Sequence, residues 1–263
     1  MNILVTGANG QLGKCLRKIA GNYDALHFKF MDSKALDITN TGSINEAFEF
    51  EQFDYCINCA AYTNVEQAEK TPEIAFAVNS DGVKNIATAC KNKDVVLIHI
   101  STDYVFDGEK EEGYLTTDLP NPINQYGKSK LAGESFIQEL MDKYFIIRTS
   151  WLYSEFGNNF YKTIMNKAKT EKVLYITDEQ TGCPTNANNL AKYILNLITS
   201  CKTEYGIYHF TDGKAMTWFD FAKEILRETH LDKKVRLEKA KNYRTLAKRP
   251  IYSVLKNINS LAK

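Results

Sequence analysis

Short apolar runs alternate with amphipathic helical patterns through the first half of the chain. Buried strands are predicted at residues 2–6, 25–31, 55–59, 95–100 and 145–148, and a helical pattern follows each of the first four runs. Strands that alternate with helices form parallel sheets that are covered on both faces. The pattern therefore predicts an α/β fold with a doubly wound parallel sheet.

Three glycines connect the first predicted strand to the first helix. Gly7, Gly10 and Gly13 are spaced Gly-x-x-Gly-x-x-Gly, which departs from the Gly-x-Gly-x-x-Gly form of the dinucleotide-binding fingerprint. The strand–turn–helix context still favours a Rossmann sheet, in which such a turn lets the backbone and the helix N-terminus bind a pyrophosphate. The alternative is a tight turn without a ligand.

An acidic residue follows the second predicted strand. Asp32 lies nineteen residues after Gly13, where dinucleotide-binding folds hold the adenosine ribose hydroxyls. A carboxylate there favours NAD and repels a 2′-phosphate. Lys29 and Lys34 are close in sequence and could accept that phosphate, so NADH and NADPH both stay open.

The second half of the chain is less regular. Helices are predicted at about 159–170, 188–200 and 217–230, and short strands at 173–176 and 207–210. The chain is therefore predicted to divide into a dinucleotide-binding domain, residues 1–152, and a smaller C-terminal α/β lobe for the substrate, residues 153–263. Some segments of the lobe are expected to return to the first domain.

Several helix starts can be predicted from local signals. Capping boxes, in which Ser or Thr precedes Glu by three positions, are predicted to begin helices at residues 43–46 and 63–66, and Pro72 lies near the start of a longer helix. The helix after Pro122 is predicted to bury one apolar face. Its residues are Leu131, Phe136, Leu140, Met141 and Tyr144.

The predicted strand 95–100 leads directly into Ser101, Thr102, Asp103 and Tyr104. Ligands of open α/β sheets bind beyond the carboxyl ends of the strands. The Thr102 hydroxyl could therefore bond a carbonyl oxygen of a ligand. The alternative is that Thr102 caps a turn.

Tyr126 and Lys130 are four residues apart at the start of a predicted helix, so their side chains share one face. An adjacent positive charge favours the phenolate and lowers the pKa of a tyrosine, which suits general acid–base chemistry near neutral pH. The alternative is an ordinary surface pair.

Composition excludes several classes of partner. Hydrophobic residues make up 44% of the chain and charged residues 25%, and the net charge is +1, so neither nucleic acid nor a membrane surface is an expected partner. The N-terminus enters a strand without a basic region or a cleavage site, which predicts a cytoplasmic protein.

The cysteines and histidines do not indicate a metal site. Cys56 and Cys59 have the Cys-x-x-Cys spacing, but they lie in a predicted strand, where an offset of three places the thiols on opposite faces. The four histidines lack ligand spacing. No metal is expected, and scattered cysteines in a chain of this size do not predict disulfides.

The glycine turn, Thr102 and the Tyr126–Lys130 pair together resemble the extended short-chain dehydrogenase/reductases. Longer stretches resemble the nucleotide-sugar reductases of this family: residues 101–108, 126–134, 148–153, 157–160, 182–185 and 249–255. Many short-chain reductases have Ser where this chain has Thr102. The nucleotide-sugar reductases also have Thr, which supports the narrower resemblance.

The resemblance implies a reaction, a cofactor and a set of site residues. The 4-keto group of dTDP-4-dehydro-L-rhamnose would be reduced to give dTDP-L-rhamnose with NADH or NADPH, and the product would feed cell-surface polysaccharide. Tyr126 would donate the proton, and Thr102 would bind the reacting oxygen. Lys130 would tune the pKa of Tyr126 and hold the nicotinamide ribose. The cofactor would be lined by Gly7, Gly10, Gln11, Leu12, Gly13, Asp32, Asp37, Ile38, Ala60, Ala61, Tyr62, Tyr126 and Lys130. The nucleotide sugar would be contacted by Thr102, Asp103, Trp151 and Arg249.

Alternatives stay open at this point. The chain could be an epimerase or dehydratase on the same fold, which would retain and recycle NAD, or a non-catalytic regulatory subunit. Trp151 could be a packing residue and Arg249 a solvated surface charge. The oligomeric state is undetermined, with a homodimer as one alternative.

Overall fold

The computed structural model describes residues 1–240 and 244–257. The strands are β1 Asn2–Thr6, β2 His27–Phe30, β3 Tyr55–Asn58, β4 Val96–Thr102, β5 Tyr144–Thr149, β6 Leu152–Tyr153, β7 Val173–Ile176, β8 Thr181–Gly182, β9 Thr185–Asn186, β10 Gly206–His209, β11 Met216–Thr217 and β12 Arg236–Lys239. The helices are α1 Gln11–Ala20, α2 Thr41–Glu49, α3 Val65–Lys70, α4 Pro72–Phe76, α5 Gly82–Asn92, α6 Gln125–Leu140, α7 Phe160–Lys167, α8 Ala187–Thr199 and α9 Trp218–Glu228.

Six parallel strands form the central sheet, in the order β10-β5-β4-β3-β1-β2. The predicted fold class, a doubly wound parallel Rossmann sheet, is confirmed. From β1 the chain extends to β2 on one side and to β3 on the other, so the strand order reverses there. In open α/β sheets, ligands bind at such a reversal, beyond the carboxyl ends of the strands.

Apolar side chains cover both faces of the sheet. On one face, α1 and α8 pack against the strands through residues such as Leu16, Leu190 and Ile194, each fully buried. On the other face, α2, α5 and α6 contribute residues that include Ile86 and Ile137. The sheet is therefore held rigidly between two helical layers, and the loops at its carboxyl edge are free to carry chemistry.

The second half contributes to two cores. Helix α8 and strand β10 join the central sheet, where β10 pairs with β5. Helices α7 and α9 pack with β7 and β12 around a separate cluster that includes Ile164, Phe221 and Ile225. The division of the chain at residue 152 stays a prediction.

Two predicted helix starts are wrong, the first by three residues and the second by one residue. Helix α2 is capped by Asn40, whose side chain accepts the Gly42 and Ser43 N–H groups, so Ser43 lies inside the helix. Helix α3 is capped by Asn64, which accepts the Gln67 N–H. In both places an asparagine upstream of the helix competes successfully with the Ser or Thr of the predicted box, because Asn is an equally strong N-cap.

The predicted buried face of α6 is partly wrong, because Met141 is buried but lies beyond the helix, and Leu131 and Phe136 are only partly buried. Helix α6 ends at Leu140, and its buried residues are Gly127, Ser129, Lys130, Gly133, Glu134 and Ile137. Glycine at position 133 permits close packing, because a Cβ there would collide with the Asn79 carbonyl. Glu134 is buried because it forms an ion pair with Arg148 at 2.6 Å. Small and paired polar groups, rather than the apolar stripe, thus face the sheet.

The late segment 244–257 crosses from one half of the molecule to the other. The Lys248 carbonyl accepts a hydrogen bond from Asn124, the N-cap of α6. Further along, the Ser253 N–H donates to Thr181 O at 2.9 Å and the Tyr114 N–H donates to Val254 O at 2.7 Å. The segment therefore lies against the carboxyl edge where α6 begins.

Candidate active site

The glycine turn brings the end of β1 close to the end of β3. Gly7 has φ +59°, and a Cβ on it would lie 2.6 Å from the Ala60 backbone nitrogen. A Cβ on Gly13 would lie 2.7 Å from the Ala8 Cα. Both positions therefore require glycine, and the turn lies at the point where the strand order reverses.

The N-terminus of α1 has the features of an anion site. Its N-cap is Gly10, which supplies no side-chain hydrogen bond, and the first turn contains no acidic residue. Apart from α5, which continues from a π-helical turn, the other helices of eight residues or more in the described ranges have a side-chain cap: Asn40 on α2, Asn124 on α6, Asn159 on α7, Asn186 on α8 and Thr217 on α9. The free N–H groups and the positive dipole end of α1 thus fit a dinucleotide pyrophosphate.

The two residues that follow Gly10 point in different directions. Leu12 is buried in the core beneath the sheet, so only its backbone can face a ligand. The Gln11 amide donates to the Leu152 carbonyl at 3.0 Å and accepts from Asn159 at 2.6 Å. Gln11 therefore links the glycine turn to the second half of the chain.

Asp32 follows β2 at the same edge. Its carboxylate accepts hydrogen bonds from Asn9 Nδ2 at 2.5 Å and from the Lys34 N–H at 3.0 Å. Further along, the Asp37 carboxylate accepts from Thr39, and Ile38 is buried with its carbonyl bonded to Asn85. Asp32 is thus held in a fixed orientation beside the turn.

Residues 60–62 follow β3 and are fixed by an asparagine from the π-helical turn Ala77–Asp81. Asn79 accepts the Tyr62 N–H at 2.8 Å and donates to the Tyr62 carbonyl at 2.9 Å. It also donates to Ser129 on α6. Ala60 and Ala61, whose side chains are small, lie between the end of β3 and this fixed residue.

Thr102 ends β4 and caps a turn, which is one of the two roles considered from the sequence, and its contact with a ligand carbonyl stays a prediction. Its hydroxyl accepts the Tyr104 N–H at 3.2 Å, which caps a 3₁₀ turn, and donates to Asp103 Oδ1 at 3.1 Å. Asp103 is buried and accepts a second hydrogen bond from Ser253 at 2.5 Å. Burial raises the pKa of Asp103 to about 7, against the opposing effect of the Ser253 and Thr102 hydrogen bonds.

Tyr126, on the first turn of α6, faces this cluster. Its ring packs edge-on against Tyr104, with the centroids 5.8 Å apart. Burial raises the pKa of Tyr126 to about 12, while a hydrogen bond with Thr102 acts in the opposite direction. The expectation that Lys130 lowers this pKa is wrong for the protein alone, because the Lys130 ammonium is directed elsewhere.

Lys130 lies one helical turn after Tyr126 and is only 2% exposed. Its Nζ donates to the Ile100 carbonyl at 2.7 Å and lies 3.2 Å from His99 Nε2. Burial lowers the pKa of Lys130 to about 8, partly offset by Glu134. The structure thus brings Thr102, Tyr126 and Lys130 to one place at the carboxyl end of β4.

Trp151 follows β5 and is partly buried between the two halves of the site. It stacks face to face on Trp218, with the ring centroids 3.4 Å apart and the planes within 5°. Its backbone has φ +47°, an uncommon conformation for a non-glycine residue, and a Cβ on Gly182 would collide with its ring. Its predicted contact with substrate stays a prediction.

Arg249 is not a solvated surface charge, because its side chain is 17% exposed. Its guanidinium pairs with Glu66 Oε1 of α3 at 2.6 Å. Glu66 in turn accepts the Leu246 N–H at 2.8 Å, which holds the late segment against α3. The predicted contact between Arg249 and substrate stays a prediction.

Comparison with known proteins assigns the family. The whole chain, residues 1–263, matches the family described as the RmlD substrate binding domain. A dTDP-4-dehydrorhamnose reductase from Aggregatibacter actinomycetemcomitans is 40% identical, over 96% of this chain and 90% of that protein. The chain belongs to the dTDP-4-dehydrorhamnose reductase family.

Solved structures of dTDP-4-dehydrorhamnose reductases are similar over almost their full length. The enzyme from Clostridium acetobutylicum is 42% identical, with a TM-score of 0.92 over 98% of this chain and 90% of that chain. The enzyme from Bacillus anthracis, solved in complex with NADP, is 40% identical, with a TM-score of 0.93 over 98% of this chain and 91% of that chain.

Within this reductase site, sequence reasoning missed several buried polar residues. Asn58 and His99 lie inside predicted strands, Asn79 lies in a predicted helix, and Ser253 lies in the stretch 249–255, but none of the four had been assigned a role in the site. The sequence did contain one sign of a role for His99, because it is a polar residue in an otherwise apolar run. Buried polar residues are hydrogen-bonded, so its position alone required a partner.

Two further observations concern residues 1–240 and 244–257. No helix there has the length and apolar character needed to cross a membrane. No group of three or more His, Cys, Asp or Glu side chains in these ranges is arranged to hold a metal ion.

Proposed function

We propose that this chain reduces the 4-keto group of dTDP-4-dehydro-L-rhamnose to give dTDP-L-rhamnose, with NADH or NADPH as cofactor. The observation that carries this proposal is that Thr102, Tyr126 and Lys130 come together at the carboxyl end of β4. The glycine turn, after which α1 begins without a side-chain cap, lies at the same edge of the sheet. Family membership supports the same reaction.

The proton is supplied by Tyr126. With a pKa of about 12, the phenol is fully protonated at neutral pH and is ready to donate. A reduced nicotinamide bound beside this cluster would supply the hydride for the carbonyl carbon, and the residues of the chain would stabilise the negative charge left on the carbonyl oxygen. The Thr102 hydroxyl lies beside Tyr126 and stabilises that charge by turning its proton from Asp103 to the oxygen.

Lys130 would resupply the proton that Tyr126 gives up, with its Nζ turned from the Ile100 carbonyl toward the reacting centre. It lies one turn further along α6, and burial keeps its pKa near neutrality, at about 8. An ammonium with this pKa can release a proton toward a phenolate more readily than an exposed lysine. Lys130 can also donate to the nicotinamide ribose.

The cofactor would lie across the switch point of the sheet. Gly7, Gly10 and Gly13 leave the backbone open, and the N-terminus of α1 offers free N–H groups for the pyrophosphate. Asp32, which accepts a hydrogen bond from Asn9, would bind the adenosine ribose. Residues 60–62 would border the nicotinamide side.

The nucleotide sugar would be bound largely by residues of the second half of the chain. Asp103 faces the reacting centre, and Arg249 and Trp151 approach from the late segment and from the end of β5. A guanidinium suits diphosphate oxygens and an indole offers an apolar face with one donor. This division of roles among the residues is part of the proposal.

The test is cofactor oxidation by the purified protein with dTDP-4-dehydro-L-rhamnose, using NADH and NADPH separately, with the product identified by NMR. We expect steady turnover and formation of dTDP-L-rhamnose. Thr102→Val, which keeps the shape but removes the hydroxyl, should lower kcat about 10²–10³-fold, the usual cost of one lost oxyanion donor. Retention of NAD without net turnover would instead indicate an epimerase or dehydratase, and no reaction by the folded protein would refute the proposal.

A further inference from the structure

A chain of buried hydrogen bonds leads from the glycine-turn side of the sheet to Lys130. The Thr6 hydroxyl donates to Asn58 Oδ1 at 2.6 Å, and Asn58 Nδ2 lies 3.1 Å from His99 Nδ1. On the other side of the ring, His99 Nε2 lies 3.2 Å from Lys130 Nζ. All four side chains are at most 2% exposed, and each contact in the chain is a direct one between side chains.

The orientation of the Asn58 amide is fixed by its neighbours. Its Oδ1 accepts from the Thr6 hydroxyl and also from the Ala60 backbone N–H at 3.2 Å. A backbone N–H can only donate, so reversing the amide would place two donors against each other. Asn58 therefore presents its NH₂ group to His99.

The Asn58 amide in turn fixes the tautomer of His99. Because Nδ1 accepts the Asn58 proton, the neutral ring carries its own proton on Nε2. Burial and the neighbouring Lys130 both hold the pKa of His99 well below its usual range, so the ring stays neutral. The Nε2 proton is thus directed at Lys130 Nζ.

An ammonium has three donors and no lone pair, whereas a free amine can accept the Nε2 proton and still donate to Ile100 O. The His99 ring therefore opposes the charged form of Lys130 and favours the free amine. We propose that Thr6, Asn58 and His99 form a positioning chain that orients Lys130 Nζ and makes its ammonium give up a proton more readily.

Other groups around Lys130 also influence whether its side chain is charged, but they do so without contacting Nζ. Glu134 on α6 favours the ammonium, but its carboxylate is shared with Arg148 and Ser101. Cys59, after β3, also favours the ammonium, and burial opposes it. Of these neighbours, His99 is the one that contacts Nζ directly and presents a proton to it.

The tautomer can be measured on the unmodified, cofactor-free protein. Long-range ¹H–¹⁵N correlation spectra distinguish Nδ1–H from Nε2–H histidine, and the His99→Gln spectrum identifies the His99 signal among the four histidines. We expect a neutral Nε2–H ring from pH 6 to pH 9. An Nδ1–H ring or an imidazolium would overturn the proposal.

The effect on Lys130 is measured by titration of lysine labelled with ¹³C at Cε, with Lys130→Arg used to assign the signal. The His99→Gln side chain can turn its amide oxygen toward the ammonium, so we expect the Lys130 pKa to rise from about 8 by about one unit, which corresponds to one hydrogen bond. His209→Gln is the matched control, because His209 is equally buried in the same sheet on β10. Equal Lys130 titrations in His99→Gln and the unmodified protein would overturn the proposal.

The consequence for turnover rests on the proposed function, whereas the two NMR measurements do not. If the Lys130 ammonium is the active form, kcat/KM falls as pH rises through the pKa of Lys130. This fall, the alkaline limb of the plot of kcat/KM against pH, should move up by about one pH unit in His99→Gln. The limb should stay in place in His209→Gln. An NMR shift without a shift of the limb would refute the role of Lys130 in turnover, and no shift in either measurement would refute the positioning chain.

Discussion

Replacement of Arg249 by alanine separates binding of the nucleotide sugar from packing of the late segment. The side chain makes one ion pair, with Glu66 at 2.6 Å, and Glu66 itself is 39% exposed. Partly exposed ion pairs contribute about 0–1 kcal/mol to stability, so the melting temperature should change little. If Arg249 binds the diphosphate, the lost charge-assisted contact is worth roughly 1.5–3 kcal/mol, or about 10–150-fold in KM for the nucleotide sugar.

Glu66→Gln is the matched control for Arg249→Ala. It removes the charge of the same ion pair but leaves the guanidinium in place. The assay is steady-state kinetics with the nucleotide sugar, beside a separate NADH titration and a melting curve. We expect a raised KM in Arg249→Ala alone, with an unchanged Kd for NADH in both variants. Equal effects in both variants, or equal losses for sugar and cofactor, would show that Arg249 acts only by holding the late segment.

Other substitutions test the remaining parts of the site. Tyr126→Phe should lower kcat about 10²–10⁴-fold with cofactor binding intact, because it removes the general acid; near-normal kcat would rule out this role. Asp32→Ala should weaken NADH more than NADPH, because the repulsion of a 2′-phosphate is lost together with the ribose contact; an unchanged preference in paired titrations would place the ribose elsewhere. Gly7→Ala should abolish NADH binding or unfold the protein, because its Cβ would lie 2.6 Å from the Ala60 backbone, whereas Gly21→Ala, with no atom within 4 Å, should leave the NADH titration and the melting curve unchanged.

The parts of the fold that follow from apolar periodicity were predictable. The alternating runs of the first half identified five strands of the sheet, β1 to β5, whereas the strand predicted at 207–210, which overlaps β10, lies in the less regular second half. The buried face of α6 was not, because it is formed by glycines and by the Glu134–Arg148 pair rather than by an apolar stripe. Hydrophobic patterns do not report a polar side chain that is buried because a distant strand supplies its partner.

The residues of the site also divide into those that could be predicted from the sequence and those that could not. Thr102, Tyr126 and Lys130 could be named because short motifs carry them and parallel strands end at one edge. The partners that orient them could not, because Ser253 is 150 residues from Asp103 and His99 is 31 residues from Lys130. Such contacts depend on the register of strands and on where the late segment crosses the sheet.

The return of α8 and β10 to the central sheet has a consequence for synthesis of the chain. Strand β5 ends at Thr149, but its neighbour β10 begins only at Gly206, and α8 covers apolar side chains such as Phe145. The ribosome needs roughly 3–12 s to add the intervening ~60 residues at typical rates. During that interval the nascent chain carries an open β5 edge and an uncovered apolar face, so this is the stage at which a chaperone would bind and at which slowed translation would promote aggregation.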